Sequence, residues 1–473
     1  MRIKDLQYIN GEWVPSASKE KIDVINPATE EVIGQVCNGN KEDVNQAVQA
    51  AKDAFGFFSK STVAERIEML EAIATEYEKR KADIIETVTL ELGSPVAISE
   101  QSHYAMGLSH FKQAAKELET FPFIERREAG IIQKEPIGVS ALITPWNFPM
   151  NQTATKIASA LAAGCTIVLK PSELTPLSAV LLTEIIEEAG VPQGVFNLIN
   201  GTGEAVGNAL TSHPDVDKVS FTGSGQTGAQ ISKNAADTIK KVALELGGKS
   251  PLIVLDDFDL EVATKIAVAN VMFNCGQVCT LASRTLVPSN KAEEFISLAK
   301  ERIAKYPVGN PYDENSRLGP VISKAQYERV QYYIQKGIDE GATLVTGGLG
   351  KPEGLEKGYF VKPTIFADVR NDMTIAQEEI FGPVMSILTY ETIDEAIEIA
   401  NDTIYGLAGY ILGNDEKTVR KVVDELRVGR VVVNGARADY SLPFGGYKQS
   451  GVGREWGDYG IAEYLEIKSI VGL

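Results

Sequence analysis

Several residue types are scarce in this chain, and each scarcity excludes a class of protein. Four cysteines, Cys37, Cys165, Cys275 and Cys279, cannot staple 473 residues into a disulfide scaffold. Three histidines are present, His103, His110 and His213, and none lies near Cys275 or Cys279 in sequence. The spacing of those two cysteines could set two metal ligands on one helix face. With no further ligand nearby, no metal site is expected. Positive charge is in deficit: 46 Lys and Arg against 64 Asp and Glu give a formal net charge of -18. Nucleic-acid phosphates and anionic membrane surfaces both require a basic patch, so neither is an expected partner. No apolar run reaches the roughly 18 residues needed to span a bilayer. Residues 1–15 lack the apolar core of a signal peptide, so the expectation is a cytoplasmic enzyme.

What is present is ordinary globular composition, 44% hydrophobic and 23% charged, in a chain long enough for several domains. Residues 8–14 alternate around Asn10-Gly11 and read as a hairpin. Amphipathic periodicity predicts helices over 41–57, 64–81 and 100–119. Short apolar runs at 138–143, 166–169, 194–198 and 218–221, with a helix over 178–189, read as buried strands joined by crossovers. A second series starts near Pro251. It has strands at 252–255, 343–346, 384–390 and 430–433 and helices over 260–273, 291–304, 324–340 and 393–401. Two α/β halves meeting near residue 248 are expected. The pieces 121–133 and 464–471 fit neither half, and the plainest reading makes them edge strands.

Three segments carry chemistry. After the strand at 218–221 comes Gly223-Ser224-Gly225-Gln226-Thr227-Gly228 and then a helical pattern over 229–239. A G-x-G-x-x-G run between strand and helix lets the backbone approach dinucleotide phosphates at a helix N-terminus, although a plain tight turn has the same composition. Cys279 lies in Asn274-Cys275-Gly276-Gln277-Val278-Cys279-Thr280, where glycine and polar neighbours suggest a loop. It is either an activated thiol or a buried structural one. Glu245 sits in the apolar run Val242 to Gly248, followed by Lys249. A carboxylate there is a general base raised by burial, one half of an ion pair with Lys249 or another cation, or, by generic dinucleotide-site spacing, the acid that holds a ribose.

Together these segments resemble the aldehyde dehydrogenase superfamily over nearly the whole chain. The resemblance rests on Thr144-Pro145-Trp146-Asn147-Phe148-Pro149, Lys170-Pro171-Ser172-Glu173, Phe221-Thr222-Gly223-Ser224, Glu245-Leu246-Gly247-Gly248-Lys249, Gly276-Gln277-Val278-Cys279, Glu378-Glu379-Ile380-Phe381-Gly382-Pro383-Val384 and Pro443-Phe444-Gly445-Gly446, in the family's order. It implies Cys279 as nucleophile, Glu245 as general base and Asn147 as oxyanion donor. It implies cofactor contacts from Thr144, Trp146, Lys170, Glu173, Gly201, Gly203, Gly223, Ser224, Leu246, Glu379 and Phe381. Lys170 and Glu173 would meet the adenosine ribose, so NAD is expected over NADP. The implied fold is α/β: a Rossmann-like cofactor domain (1–117 and 137–247), an α/β catalytic domain (248–446) and a small β oligomerisation element (118–136 and 447–473) in a homodimer or homotetramer. The implied reaction oxidises an aldehyde to the acid with NAD(P)+ through a thioester on Cys279. The rival readings are acyl transfer to coenzyme A, which the acid at 245 disfavours, and a non-catalytic scaffold. Two departures bear on the substrate: Leu281, expected to narrow the channel, and Arg437 and Asp439 in the loop 435–442, where aromatics are common in relatives that take bulky apolar aldehydes.

Overall fold

Strands whose every residue is buried cannot tolerate a solvated face, so they must lie in sheets covered on both sides. Val139–Ile143, Thr166–Lys170, Lys218–Thr222 and Pro251–Val254 are of this kind. In the structure, a computed structural model that describes residues 2–472, such strands form the centres of two large sheets.

The first sheet has eight strands. Its parallel core runs Phe196–Leu198, Thr166–Lys170, Val139–Ile143, Lys218–Thr222, Lys241–Glu245 in space. Chain order therefore reverses between Val139–Ile143 and Lys218–Thr222. In such sheets the crevice beyond the carboxyl ends at that reversal is where ligands bind. Register brings the ends to one rim: Ile143 is opposite Lys170, and Thr222 opposite Glu245. Antiparallel strands close the edges, with the hairpin Leu6–Ile9 and Glu12–Pro15 on one side and Gly451–Val452 on the other.

The second sheet has seven strands, parallel except for Thr343–Thr346. Its own core includes Phe295, Phe366, Val268 and Leu286. The expectation for Leu281 is corrected here. Its side chain belongs to this core rather than to any channel wall, because the chain turns at Val278 and directs Leu281 inward.

The pieces that matched neither half join neither large sheet. Ile124–Arg127, Gly130–Pro136 and Leu465–Val471 form an antiparallel sheet of their own, with Leu465 opposite Pro136 and Val471 opposite Gly130. One edge strand of that sheet carries the exposed Ile467 and Val471.

Helix boundaries moved where caps decide them. The helix expected over 229–239 is Gly225–Ala236, because Ser224 caps it and accepts from the Thr227 N–H at 3.2 Å. The second and third glycines of the run are therefore helical. The helix Pro149–Ala163, all of whose residues are buried, is not among the helices the sequence reading anticipates. No helix among the described residues is long and apolar enough to cross a membrane.

Candidate active site

Asn147 and Cys279 come from opposite halves and meet because both sit on tight turns. The strand Val139–Ile143 ends at the rim, and six residues later Pro149 opens the buried helix. Asn147 is held in that turn. On the other side, the helix Leu260–Met272 ends in a turn where Asn274, Cys275 and Gly276 are all left-handed, with φ of 48°, 57° and 72°. Such strain is retained where a fixed geometry is needed. A Cβ on Gly276 would lie 2.1 Å from the Gly382 carbonyl, so no other residue fits.

Amides tie the two turns together. Asn274 Nδ2 donates to the Asn147 carbonyl at 2.9 Å, and Asn147 Nδ2 donates to the Gln277 carbonyl at 3.0 Å. The Ile322 N–H donates to Gln277 Oε1 at 2.9 Å. An amide nitrogen has two hydrogens, so Asn147 keeps one for another acceptor.

Cys279 is half-buried and lines two cavities. The first, about 270 Å³, is the more polar of the two and is shared with Asn147, Glu245, Leu246, Ser224 and Glu379. The second, about 470 Å³, is walled by Phe148, Phe273, Val432, Tyr440, Phe444 and Trp456, among others. The buried-thiol fate belongs to its neighbour Cys275, whose Sγ donates to the Gly319 carbonyl at 3.2 Å.

Glu245 ends its strand beside this space. Gly247 and Gly248 permit the crowding that follows: a Cβ on Gly247 would lie 2.4 Å from Glu379 Oε2, and one on Gly248 2.5 Å from the Cys279 carbonyl. Both Glu245 carboxylate oxygens are buried without a hydrogen-bond partner, and so is the Lys249 ammonium. The ion-pair reading of Glu245 and Lys249 is therefore not realised. Burial first, then the nearby Glu455, hold the Glu245 carboxyl well above the usual range, while Lys156 and Arg454 oppose them. Burial and the carboxylates of Glu379 and Glu245 push the Cys279 thiol up to about 12. Burial raises Glu379 to about 7, and the Gly248 N–H, donating to it at 3.1 Å, works against that.

Behind Glu245 lies a charged pair that no sequence motif indicated. Lys156, with its side chain wholly buried, donates to Ser220 Oγ at 3.0 Å and pairs with Glu455. Its signal in sequence is a lone lysine in an otherwise uncharged helix, Pro149–Ala163.

A third cavity, about 270 Å³, continues along the rim of the first sheet. Thr144, Trp146, Lys170, Glu173, Gly203 and Gly223 all line it. Lys170 Nζ is 3.6 Å from Glu173 Oε2 and donates to the Pro171 carbonyl at 2.9 Å. Trp146 and Gly223 line the polar cavity as well, so the two spaces adjoin, and Trp146 meets Phe381 edge-on at 5.3 Å. Gly201 alone among the expected contacts lines neither. It packs on Val206, where a Cβ would come within 2.4 Å of Cγ2. The acid expected from generic spacing to hold a ribose, Glu245, stands beside Cys279 at the far end, whereas Glu173 lies in this third cavity.

The two adjoining cavities suit a dinucleotide. A Cβ on Gly203 or Gly225 would meet nothing within 4 Å, so backbone there faces open space. The helix Gly225–Ala236 presents its N-terminal amides at the same place. The Thr222 hydroxyl, which lines both cavities, is buried without a partner.

The loop expectation is also resolved. Gly435, Ala436, Ala438 and Tyr440 line the apolar cavity, but Arg437 and Asp439 are exposed and do not.

Comparison with known proteins gives consistent results. Residues 13–470 match the model of the aldehyde dehydrogenase family. A Staphylococcus haemolyticus protein with a provisional aldehyde dehydrogenase name is 58% identical over 472 residues, covering 100% of this chain and 99% of that protein. Among solved structures, an aldehyde dehydrogenase C variant of Pseudomonas syringae, complexed with NAD+ and octanal, superposes with a TM-score of 0.98. It is 44% identical, covering 99% of this chain and 96% of its own. The betaine aldehyde dehydrogenase of Staphylococcus aureus, complexed with NAD+, gives 0.95 at 40% identity, covering 99% and 94%.

Proposed function

Because the chain belongs to the aldehyde dehydrogenase family, we propose that it oxidises an aldehyde to the carboxylic acid with NAD+ through a thioester on Cys279. One observation carries this reading: Cys279 stands in the wall between a polar groove and an apolar cavity, with Glu245 and Asn147 beside it on the polar side.

Trp146, Lys170 and Glu173 would hold the adenosine of NAD, Ser224 and the helix N-terminus its phosphates, and Glu379 and Phe381 its far end. When bound, it accepts the hydride. The chain's own residues do the rest. The Cys279 thiol loses its proton to solvent, and the thiolate attacks the aldehyde carbonyl, forming an S–C bond as the C=O π pair moves to oxygen. The oxyanion takes the free Asn147 N–H and the Cys279 backbone N–H as donors. Hydride loss leaves a thioester on Cys279. Glu245 removes a proton from water, which attacks the thioester; the S–C bond breaks and the acid departs. A base next to the thioester favours water over an external thiol as acyl acceptor. Lys156 and Glu455 position Glu245 electrostatically.

Glu173 favours NAD over NADP, because a carboxylate can accept from a ribose hydroxyl but repels a 2′-phosphate. The apolar cavity accommodates an alkyl or aryl chain, and octanal in a relative is of that type. The exposed edge of the three-stranded sheet pairs with another copy in a homodimer or homotetramer. Following NADH formation over a panel of n-alkanals tests the reading; it is wrong if no aldehyde is oxidised.

A further inference from the structure

The apolar cavity contains one formal charge. Arg430 and Val432, two apart on the strand Arg430–Val433, point to one face and both line it. Among the described residues, no aspartate or glutamate lines this cavity, and Arg430 makes no ion pair. The guanidinium lies over the Trp456 ring, 5.6 Å from its centre. Trp456 is itself fixed. It stacks on Phe444 at 4.7 Å, and its backbone is left-handed with φ 69°. A cation half-buried against an aromatic wall, with no counter-ion, presents its donors to whatever fills the space.

We infer that this cavity selects aldehydes whose far end bears a carboxylate, received by the Arg430 guanidinium, while the chain between passes the aromatic wall. This rests on the aldehyde-oxidising reading above and adds the substrate class to it. The planar guanidinium fork matches a carboxylate with two parallel hydrogen bonds. A cationic aldehyde would meet a like charge and no acid. The chain as a whole carries -18, so an anion needs a local cation to enter, and Arg430 is the charged residue in the wall.

The test compares kcat/KM with saturating NAD for n-alkanals and for ω-oxo carboxylates of equal carbon number, with betaine aldehyde as the cationic arm. The wild type should favour the oxo acid by about tenfold or more at the best length, the scale of one charge-assisted pair, mainly through KM. Arg430→Gln should bring that ratio near one, Arg430→Lys should keep part of it, and betaine aldehyde should be the poorest wild-type substrate. A wild-type ratio at or below one overturns the inference without any variant. So does a ratio unchanged in a folded Arg430→Gln. If alkanals are oxidised and the ratio is flat, this inference alone fails; if neither series is oxidised, both readings fail.

Discussion

On one side of Cys279 the wall carries the carboxylates Glu245 and Glu379 and the glycines Gly223 and Gly247; on the other it is mostly aromatic and aliphatic, with a few carboxamides and a single guanidinium. The polar side is over-determined. Gly247, Gly248 and Gly276 each stand where a Cβ would collide with Glu379, Cys279 or Gly382. The apolar side is less constrained: its residues come from separate segments, Met106, Phe148, Ile266, Phe273 and Val432 among them, and a Cβ on its glycine, Gly435, would come no nearer than 3.3 Å to a neighbour. The contrast indicates that the reaction is built into the polar wall and the choice of aldehyde into the other.

The contrast can be broken most sharply at the residue the two walls share. Cys279→Ala should abolish oxidation while NAD binding, followed by fluorescence titration, persists. Cys275→Ala, at the buried thiol four residues away, should retain turnover. If the roles are reversed, the assignment of the nucleophile is wrong. Next in size, Glu245→Gln should lower turnover at least about 10²-fold and leave NAD affinity intact, since its place is beside the thiol rather than in the adenosine cavity. Weakened NAD binding with normal turnover would return Glu245 to the ribose.

A smaller effect is expected at Glu173. Two unit charges about 4 Å apart interact by roughly 4 kcal/mol at an effective dielectric near 20, and Lys170 offsets part of that. NAD should be preferred over NADP by about 5- to 150-fold in kcat/KM, and Glu173→Gln should narrow the gap. Equal efficiencies in the wild type would defeat this explanation.

The mildest prediction concerns pH. Cys279 and Glu245 must both lose protons to act, and both are shifted upward. Activity should therefore rise as pH increases through and above neutrality. Lys156 lowers Glu245, so Lys156→Met should move the Glu245 limb to higher pH, whereas Glu455→Gln, which removes a raising charge, should move it lower. A profile unchanged in both variants would make the pair purely structural.

The same contrast explains what was legible in the sequence. Close backbone approach demands glycine, and an uncompensated acid in an apolar strand stands out, so the polar wall could be read from Gly223, Gly248 and Glu245. Glu245 was nonetheless ambiguous until register placed it opposite Thr222, at the Cys279 end of the groove. Lys156 and Glu455 were invisible because they are 299 residues apart and join only through folding. The direction of Leu281 depends on one turn at Val278, which composition does not encode. The helix Pro149–Ala163 was missed for a different reason: every residue in it is buried, so no solvated face of charged residues marks it.

The most direct test of the central claim is to trap the covalent intermediate. Glu245→Gln enzyme mixed with octanal and NAD, quenched in acid and digested, should show the octanoyl group on the peptide containing Cys279, formed with a burst of NADH. The wild type should show less, because Glu245 clears the thioester. An octanoyl group on any other residue, or a burst of NADH with no acylated peptide, would contradict the account.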